Sequence, residues 1–585
     1  MLVCQSKNTF IRNHGDYAYI INQFTNSDLV LNETGADFLK EISRTPQDTE
    51  TIVNRLLNLY GDTVDKTELQ EDFECFCSEL SEQHYLVLGE SEDEIKNKDL
   101  DFNYELLNLQ QPSTVSIISE RKEKSTSDFW ISRAQSGDYQ LNDIQFELTS
   151  SCNERCIHCY IPNARKNVGQ DMDYKDFCSV IDQFVDMGGI HVGLSGGECL
   201  THKNILNIIE YCRKKDLIIT ILSNLIALQD EHIPFLKQAN IAHIQTSLYS
   251  MDEAIHDKIT TIKGSWRKTK SAIEKLVAAN IPVQISCPLM NANKDSFVDV
   301  LKYAESLHTI ATTDYIIMAE ANFDMDNLAH RLSICDVEKA MRSVMEHNLK
   351  KDKFVSDQLS NITSSSSIGA IINHPVCGAA MNSLCVLTSG DICACPGWND
   401  LVCGNIHEQP LRDIWENSEQ LKRIRKITKG DFPLCMQCEA HDYCTFCLER
   451  NYNESGGDMF KINKHFCDVA FSNKKVVEDY VGKKTKQQIN FIMDITEISE
   501  YNKEILRSLY SHRTDDGKFI LLRKIDSKNT PKGLRKMETD KLILLGLVEY
   551  SDTEGGFARI TNDGVQFVEN YLLQQTEQAE NPAKE

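Results

Sequence analysis

Cysteine spacing constrains this chain more than any other feature. Of its 21 cysteines, ten fall between Cys377 and Cys467, a window of 91 residues. That stretch shows little hydrophobic periodicity. It cannot bury a large core and is expected to need metal to fold. Disulfides are the other use of dense cysteine, but they belong to oxidising compartments. The start, MLVCQSKNTF, lacks the basic-then-apolar layout of a signal peptide. No run approaches the roughly 18 apolar residues of a membrane span. The expectation is a cytoplasmic chain with no membrane partner, using thiolates for metal or redox chemistry. Asp+Glu 87 against Lys+Arg 62 gives a net charge of −25. That argues against broad non-specific binding to nucleic acid or anionic membrane.

The 585 residues allow several domains. Residues 1–92 read as three short strands (9–12, 17–23, 28–31) followed by three helices. Phe38, Leu39 and Ile42 recur at helical spacing. Asn32 or Thr34 is a candidate cap for the first helix, and Thr45-Pro46 a candidate start for the second. Residues 93–142 form a charged linker. Residues 143–320 alternate strands (144–149, 191–195, 218–223, 244–248, 283–288, 315–318) with helices (174–187, 205–214, 268–279, 296–307). Repeated βα units imply a parallel sheet, and six of them suit a partial barrel with its site at the C-terminal strand ends. A connector, 321–370, leads to the Cys-rich region, 371–470. Residues 485–575 form a last unit, with helices at 487–498, 502–511 and 534–545 and a strand–turn–strand around Gly555-Gly556. The tail is polar.

SCNERCIHCY places Cys152, Cys156 and Cys159 as C-x3-C-x2-C, just after the first barrel strand. Three thiolates on a short loop can hold three irons of a [4Fe–4S] cube and leave the fourth iron open. A zinc site would want four ligands. The pattern resembles that of the radical S-adenosylmethionine (SAM) enzymes, with His158 in the aromatic slot. Gly196-Gly197-Glu198 after the second strand is similar to the family's GGE motif. Glycines there are expected to let the backbone approach the methionine amino group. Ser223-Asn224 follows the third strand, where the family often has TNG, but Leu225 replaces the glycine. Ser247 ends the fourth strand, where the family has a polar SAM contact. Tyr249-Ser250 replaces the commoner Asp-Gly, so no role passes to Tyr249. The resemblance implies catalytic, cluster-binding Cys152, Cys156 and Cys159, with SAM held near Gly196, Gly197, Glu198, Asn224 and Ser247.

The distal run reads Cys377-x12-Gly390-x4-Cys395, then Cys435-x2-Cys438-x5-Cys444-x2-Cys447, then Cys467. It resembles the SPASM domain, which carries two auxiliary [4Fe–4S] clusters. The family has C-x3-C where this chain has Cys444-x2-Cys447. The resemblance implies one cluster on Cys435, Cys438, Cys444 and Cys467. The other falls to Cys377, Cys395 and Cys447, with Cys385 chosen as fourth ligand. Cys393, Cys403 or an open iron are the alternatives. Two structural zincs are the competing reading of these thiolates.

The N-terminal unit resembles the winged-helix-like peptide-recognition element of enzymes that modify ribosomal peptides, related to the peptide chaperone of pyrroloquinoline quinone biosynthesis. The carriers are LNETGADFL, TPQDTETIV…LLNLYG and the helix ending in HYLVL. In that family a leader peptide adds a strand to the sheet edge. The C-terminal unit resembles a winged helix. Lys532, Arg535, Lys536 and Lys541 put positive charge there, but the overall charge disfavours DNA.

The fold class expected is α/β: a partial (β/α)6 TIM-barrel core, an N-terminal winged-helix-like α+β module, a SPASM domain and a C-terminal winged-helix-like domain. The resemblance implies SAM and three [4Fe–4S] clusters as cofactors. The partners implied are a precursor peptide with leader and an electron donor such as flavodoxin or ferredoxin. The chemistry implied is hydrogen abstraction by a 5′-deoxyadenosyl radical, then an intrapeptide crosslink, with a thioether favoured on family frequency. The alternatives are maturation of a larger protein, such as a sulfatase or quinoprotein subunit, and an iron–sulfur DNA-binding sensor.

Overall fold

A computed structural model of the chain describes residues 1–104, 126–348, 373–492 and 500–511, apart from 26, 62 and 63. Beyond these it describes 513, 520–521, 542, 547–551 and 557–569. The chain divides into two compact units. The larger takes in Met1–Asn348 and Ser366–Lys474.

The N-terminal module begins with strands β1 (Leu2–Gln5), β2 (Thr9–Asn13), β3 (Tyr17–Asn22) and β4 (Ser27–Asn32). Helix α1 (Glu33–Glu41) follows, then a short strand β5 (Gln47–Asp48), helices α2 (Thr49–Tyr60) and α3 (Lys66–Glu82), and strand β6 (Leu86–Gly89). Asn32 caps α1, its side chain accepting from Gly35 N at 3.0 Å. The second helix starts later than Thr45-Pro46, because Asp48 supplies the cap by accepting from Thr51 N. β2, β3 and β4 form an antiparallel sheet in that order, and β5, β1 and β6 a second. Sequence inspection missed the second sheet, whose strands are two to four residues long. Ala18, Ile20, Phe38, Leu39, Phe73 and Leu80 fill the module's core.

The opposite face of the β2–β4 sheet packs outward. Phe10 and Tyr19 meet Ile190 and Ile218, with Val30, Trp130 and Ala242 alongside. Trp130 comes from a helix, Thr126–Gln135, inside the expected linker. Ile190, Ile218 and Ala242 stand at the N-terminal ends of barrel strands, so the module is docked at that end.

The barrel strands are β7 (Asp143–Glu147), β8 (His191–Ser195), β9 (Ile218–Leu222), β10 (His243–Ser247), β11 (Val283–Pro288) and β12 (Ile310–Asp314). All six are parallel and adjacent in sequence order. Helices Tyr174–Asp186, Ile205–Lys214, Ser265–Ala278 and Phe297–Ser306 cover them, as the periodicity predicts. The sixth strand is not 315–318. The run Tyr315-Ile316-Ile317-Met318 lies just past it, and Ile317 is buried against Tyr249, Ile259 and Met290. Its apolar character serves packing at the barrel mouth, which a short apolar run cannot signal.

The Cys-rich region is not a separate layer. Strands β13 (Ser383–Val386), β14 (Asp391–Cys393) and β15 (Val402–Asn405) extend the barrel sheet, β13 pairing parallel with β7. Main-chain pairing therefore supports its first half, beyond the expected dependence on metal. Buried Trp398 and Trp415 add apolar burial.

In the C-terminal unit, β16 (Ile520–Leu521), β17 (Val548–Ser551) and β18 (Phe557–Ile560) form an antiparallel sheet ordered β16-β18-β17. Helix Glu500–Ser511 packs Leu506 and Leu509 with Leu542 and Phe567. The helix expected at 487–498 is instead, up to Ile492, the end of one helix, Lys464–Ile492. Lys532, Arg535, Lys536, Lys541 and the Gly555-Gly556 turn lie outside the described residues.

Arg12 holds the N-terminal module to the barrel. Its Nε donates to Gly189 O at 2.7 Å and an Nη to Asp216 O at 2.8 Å. Burial lowers its pKa to about 10, so it stays charged at neutral pH. Arg44 joins Asp216 at 2.7 Å alongside. Arg12→Ala leaves two buried carbonyls unpaired and is expected to cost roughly 2–4 kcal/mol of docking. Hydrogen exchange should then show earlier opening of β2–β4 in urea. An unchanged profile would mean that apolar contact alone holds the module.

Candidate active site

The loop after β7 has no regular structure of its own, so its shape comes from its neighbours. Gly197 N donates to Thr149 O at 2.7 Å and Glu198 N to Ser151 O at 2.8 Å. Arg155 N and Ile157 N donate to Thr260 O and Ile259 O. Asn327 Nδ2 reaches the carbonyls of His158 and Cys159 at 3.4 Å. The loop carrying Cys152, Cys156 and Cys159 is thus pinned from three sides at the C-terminal end of the barrel.

The Gly-Gly turn serves this pinning. Gly196 has φ of 135°. A side-chain carbon on either glycine would overlap the backbone at Thr149 or Ser151. The missing side chains let the turn approach the backbone of the cysteine loop.

Glu198 is 1% exposed and accepts from Ser223 Oγ at 2.6 Å, Asn224 N at 2.7 Å and Leu200 N at 3.1 Å. Burial raises its pKa, opposed by these donors. The carboxylate ties the end of β8 to the end of β9. Asn224 is also engaged: its Nδ2 donates to Asn153 Oδ1 at 2.6 Å and its Oδ1 accepts from Ile226 N. Ser247 hydrogen-bonds with Tyr249, whose hydroxyl lies 3.8 Å from Cys156 Sγ. Tyr249 also packs edge-on against His158, ring centres 5.1 Å apart.

The sequence-predicted residues therefore converge on one place. Three more join them. Glu154, 3% exposed, contacts Cys156 Sγ at 3.2 Å, and burial lifts its pKa to about 7. The buried Lys166 acts electrostatically on Cys152, Glu154 and His158. Tyr249 is the third. None of the three is marked as functional by the sequence.

Alternating residues along the strands give the barrel a polar interior. His191 bridges Asp143 and Thr220 at 2.7 and 2.8 Å. Glu147 pairs with Arg165, which also reaches Asn399 of the Cys-rich region. Glu147 Oε1 and His158 Nδ1 are buried without a partner, which suits a site built to receive a polar ligand. Burial pushes Cys152 up to about 11 and His158 down to about 4. Cysteines in so desolvated a loop become thiolates most readily when bound cations offset the charge. The donor set fits a cluster with one open iron and SAM beside it.

The second group forms a cavity of about 360 Å³ lined by Cys435, Cys438, Cys444 and Cys467, with Phe432, Phe466 and other apolar side chains. Four sulfurs around a largely apolar cavity suit a cubane, which spaces its thiolates further apart than one ion does. Among the described residues no three His, Cys, Asp or Glu side chains stand around a single-ion position. Cys377, Cys395 and Cys447 form another group, each acted on by Glu449. Cys385 lies on β13 directly across from Cys393 on β14, fully buried beside Leu387. Cys403 is a neighbour of Cys393.

Residues 146–304 match the model of the radical SAM superfamily, and residues 377–439 match that of the SPASM iron–sulfur cluster-binding domain. The chain is a radical SAM enzyme with a SPASM domain. Its cofactors therefore include SAM, a [4Fe–4S] cluster and auxiliary iron–sulfur sites. It is 23% identical over 337 residues to the AdoMet-dependent heme synthase of Methanosarcina barkeri, covering 54% of this chain and 93% of that protein. It is 24% identical over 374 residues to the antilisterial bacteriocin subtilosin biosynthesis protein AlbA of Bacillus subtilis, covering 62% and 79%. Streptococcus suis SuiB, crystallised with the precursor peptide SuiA, shares the fold. Its TM-score is 0.51 at 14% identity, covering 79% of this chain and 99% of that one. No described helix is long and apolar enough to cross a membrane.

Gly197→Ala is expected to push the Thr149–Ser151 backbone away and empty the first cluster. Reconstituted protein should lose about four irons per chain and keep the auxiliary ones. Full iron content in that variant would mean the close approach is dispensable.

Proposed function

We propose that this enzyme modifies a ribosomally made precursor peptide, joining two of its residues in a crosslink, with a thioether the favoured bond. The observation that carries the peptide reading is the β2–β4 sheet. β4 pairs only with β3 among the described residues, and its free edge can accept an added strand. AlbA, named for bacteriocin biosynthesis, and SuiB, solved with a precursor peptide, support the same reading.

Bound SAM and the first cluster supply a 5′-deoxyadenosyl radical that removes hydrogen from a substrate carbon. The chain's own residues orient that carbon. The polar interior, with Gln145, Glu147 and Gln245 on inward positions, can hold peptide amides by hydrogen bonds. Tyr249 and His158 wall the cluster loop from solvent. The two distal cysteine groups are assigned one auxiliary [4Fe–4S] cluster each, which would accept the second electron.

Anaerobically reconstituted protein is expected to hold near twelve irons, falling to near eight with Cys152, Cys156 and Cys159 changed to Ala. Zinc in place of iron would overturn the three-cluster assignment. With SAM, reductant and the precursor peptide encoded beside the gene, each crosslink should remove two hydrogen atoms from the peptide mass. Hydrogen exchange should slow at β4 when leader is present. Modification of a folded protein without any leader would favour maturation of a larger target. Sequence-specific, salt-resistant binding to the adjacent promoter would favour the DNA-sensor reading.

A further inference from the structure

We propose that the fourth protein ligand of the auxiliary cluster on Cys377, Cys395 and Cys447 is the carboxylate of Glu449. The inference rests on the iron–sulfur reading of these cysteines and concerns which side chain completes the set. Glu449 follows Cys447 by two residues, in the first turn of the helix Leu448–Ser455. It is 8% exposed, yet no Lys or Arg forms an ion pair with it among the described residues. Its Oε2 accepts from Cys395 Sγ at 2.5 Å, so the carboxylate reaches the trio, and the two groups would part to occupy separate irons of a cube. Its Oε1 rests against Gly397, where a side-chain carbon would collide with it. The Gly397 backbone N–H donates to the carboxylate. That is the kind of outer contact that fixes a metal ligand's orientation.

Arg450 acts on it but is ion-paired with Asp314, and a buried carboxylate with no ion pair of its own favours something positive held beside it. An iron–sulfur cluster missing one thiolate offers that charge. Cys385, the sulfur expected in this role, is less well placed. It is buried between the strands of the β13–β14 hairpin, opposite Cys393 and against Leu387. The trio's own members respond to Glu449 and to one another.

The test uses the full chain with Cys152, Cys156 and Cys159 changed to Ala, so that only auxiliary clusters remain. After anaerobic reconstitution, iron, sulfide and the electron paramagnetic resonance of the reduced protein are read for Glu449→Ala, Glu449→Gln, Glu449→Cys and Cys385→Ala. The expected result is that Glu449→Ala, after mild oxidation, falls from about eight irons to about seven and gains a three-iron signal. Glu449→Cys should restore the eighth iron with an altered spectrum. Cys385→Ala should keep the parent's iron and spectrum. Cyanide should perturb the spectrum of Glu449→Ala and Glu449→Gln but not of the parent. Should Glu449→Ala fail to fold, the isosteric Glu449→Gln carries the test through its spectrum and its cyanide response. Parental behaviour in Glu449→Gln, cyanide binding to the parent, or loss of the eighth iron in Cys385→Ala would each overturn the assignment. Failure of the parent itself to bind iron would instead sink the iron–sulfur reading on which the proposal stands.

Discussion

The mouth of the barrel depends on one buried carboxylate. Among the described residues Glu198 forms no ion pair, and three hydrogen-bond donors stand in for water. Burial raises its pKa and each donor opposes that rise, so losing any of them leaves a desolvated acceptor short of a partner. Because two of the donors, Ser223 Oγ and Asn224 N, follow β9, the carboxylate fixes the distance between two strand ends. The cysteine loop hangs from that fixed frame through Gly197 N, Glu198 N and Asn224 Nδ2. A loop that must present three sulfurs to one cube tolerates little drift, yet has no ladder of its own. The frame supplies what secondary structure does not.

The same economy explains the Gly-Gly pair. A turn carrying side chains would hold the cysteine loop away from the strand ends by a van der Waals radius or more. Glu198 would then be solvated, and its three hydrogen bonds would compete with water. The motif reads as one device: two residues without side chains to permit contact, and one carboxylate to lock it.

Much of this was legible in the sequence because its signals are local. Five of the six barrel strands fell within a residue or two of their places, since apolar residues facing the helices alternate with polar residues facing inward. The sixth was misplaced because Ile317 is apolar for a different reason: it packs with Tyr249 and Met290 at the mouth. The cysteine groups were legible as spacing, and the cavity gathers Cys435, Cys438, Cys444 and Cys467 as expected. What spacing cannot show is which non-cysteine group approaches them. Glu154 and Glu449 are ordinary acids in sequence and become unusual only when the fold buries them beside sulfur. The extension of the barrel sheet by β13–β15 was equally hidden, because a short parallel pairing between residues 143 and 386 leaves no local mark.

The two ends of the barrel divide the labour of such an enzyme. The N-terminal module is seated at Ile190, Ile218 and Ala242, where strands begin, while the cysteine loop, Glu198 and Tyr249 stand where strands end. A five-residue strand rises about 17 Å. A peptide strand held on β4 therefore cannot also sit at the cluster; chain must run between, at least five extended residues and more along a curved wall. On the proposed reading, recognition and chemistry act on different segments of one substrate. Affinity can then reside in main-chain pairing that ignores the residues being modified, while the polar interior handles a segment bound weakly enough to leave after reaction. On this geometry the separation between recognition segment and reacting carbon is set by the barrel's height, and Arg12 and Arg44, which fix the module to the barrel floor, set the ruler's zero.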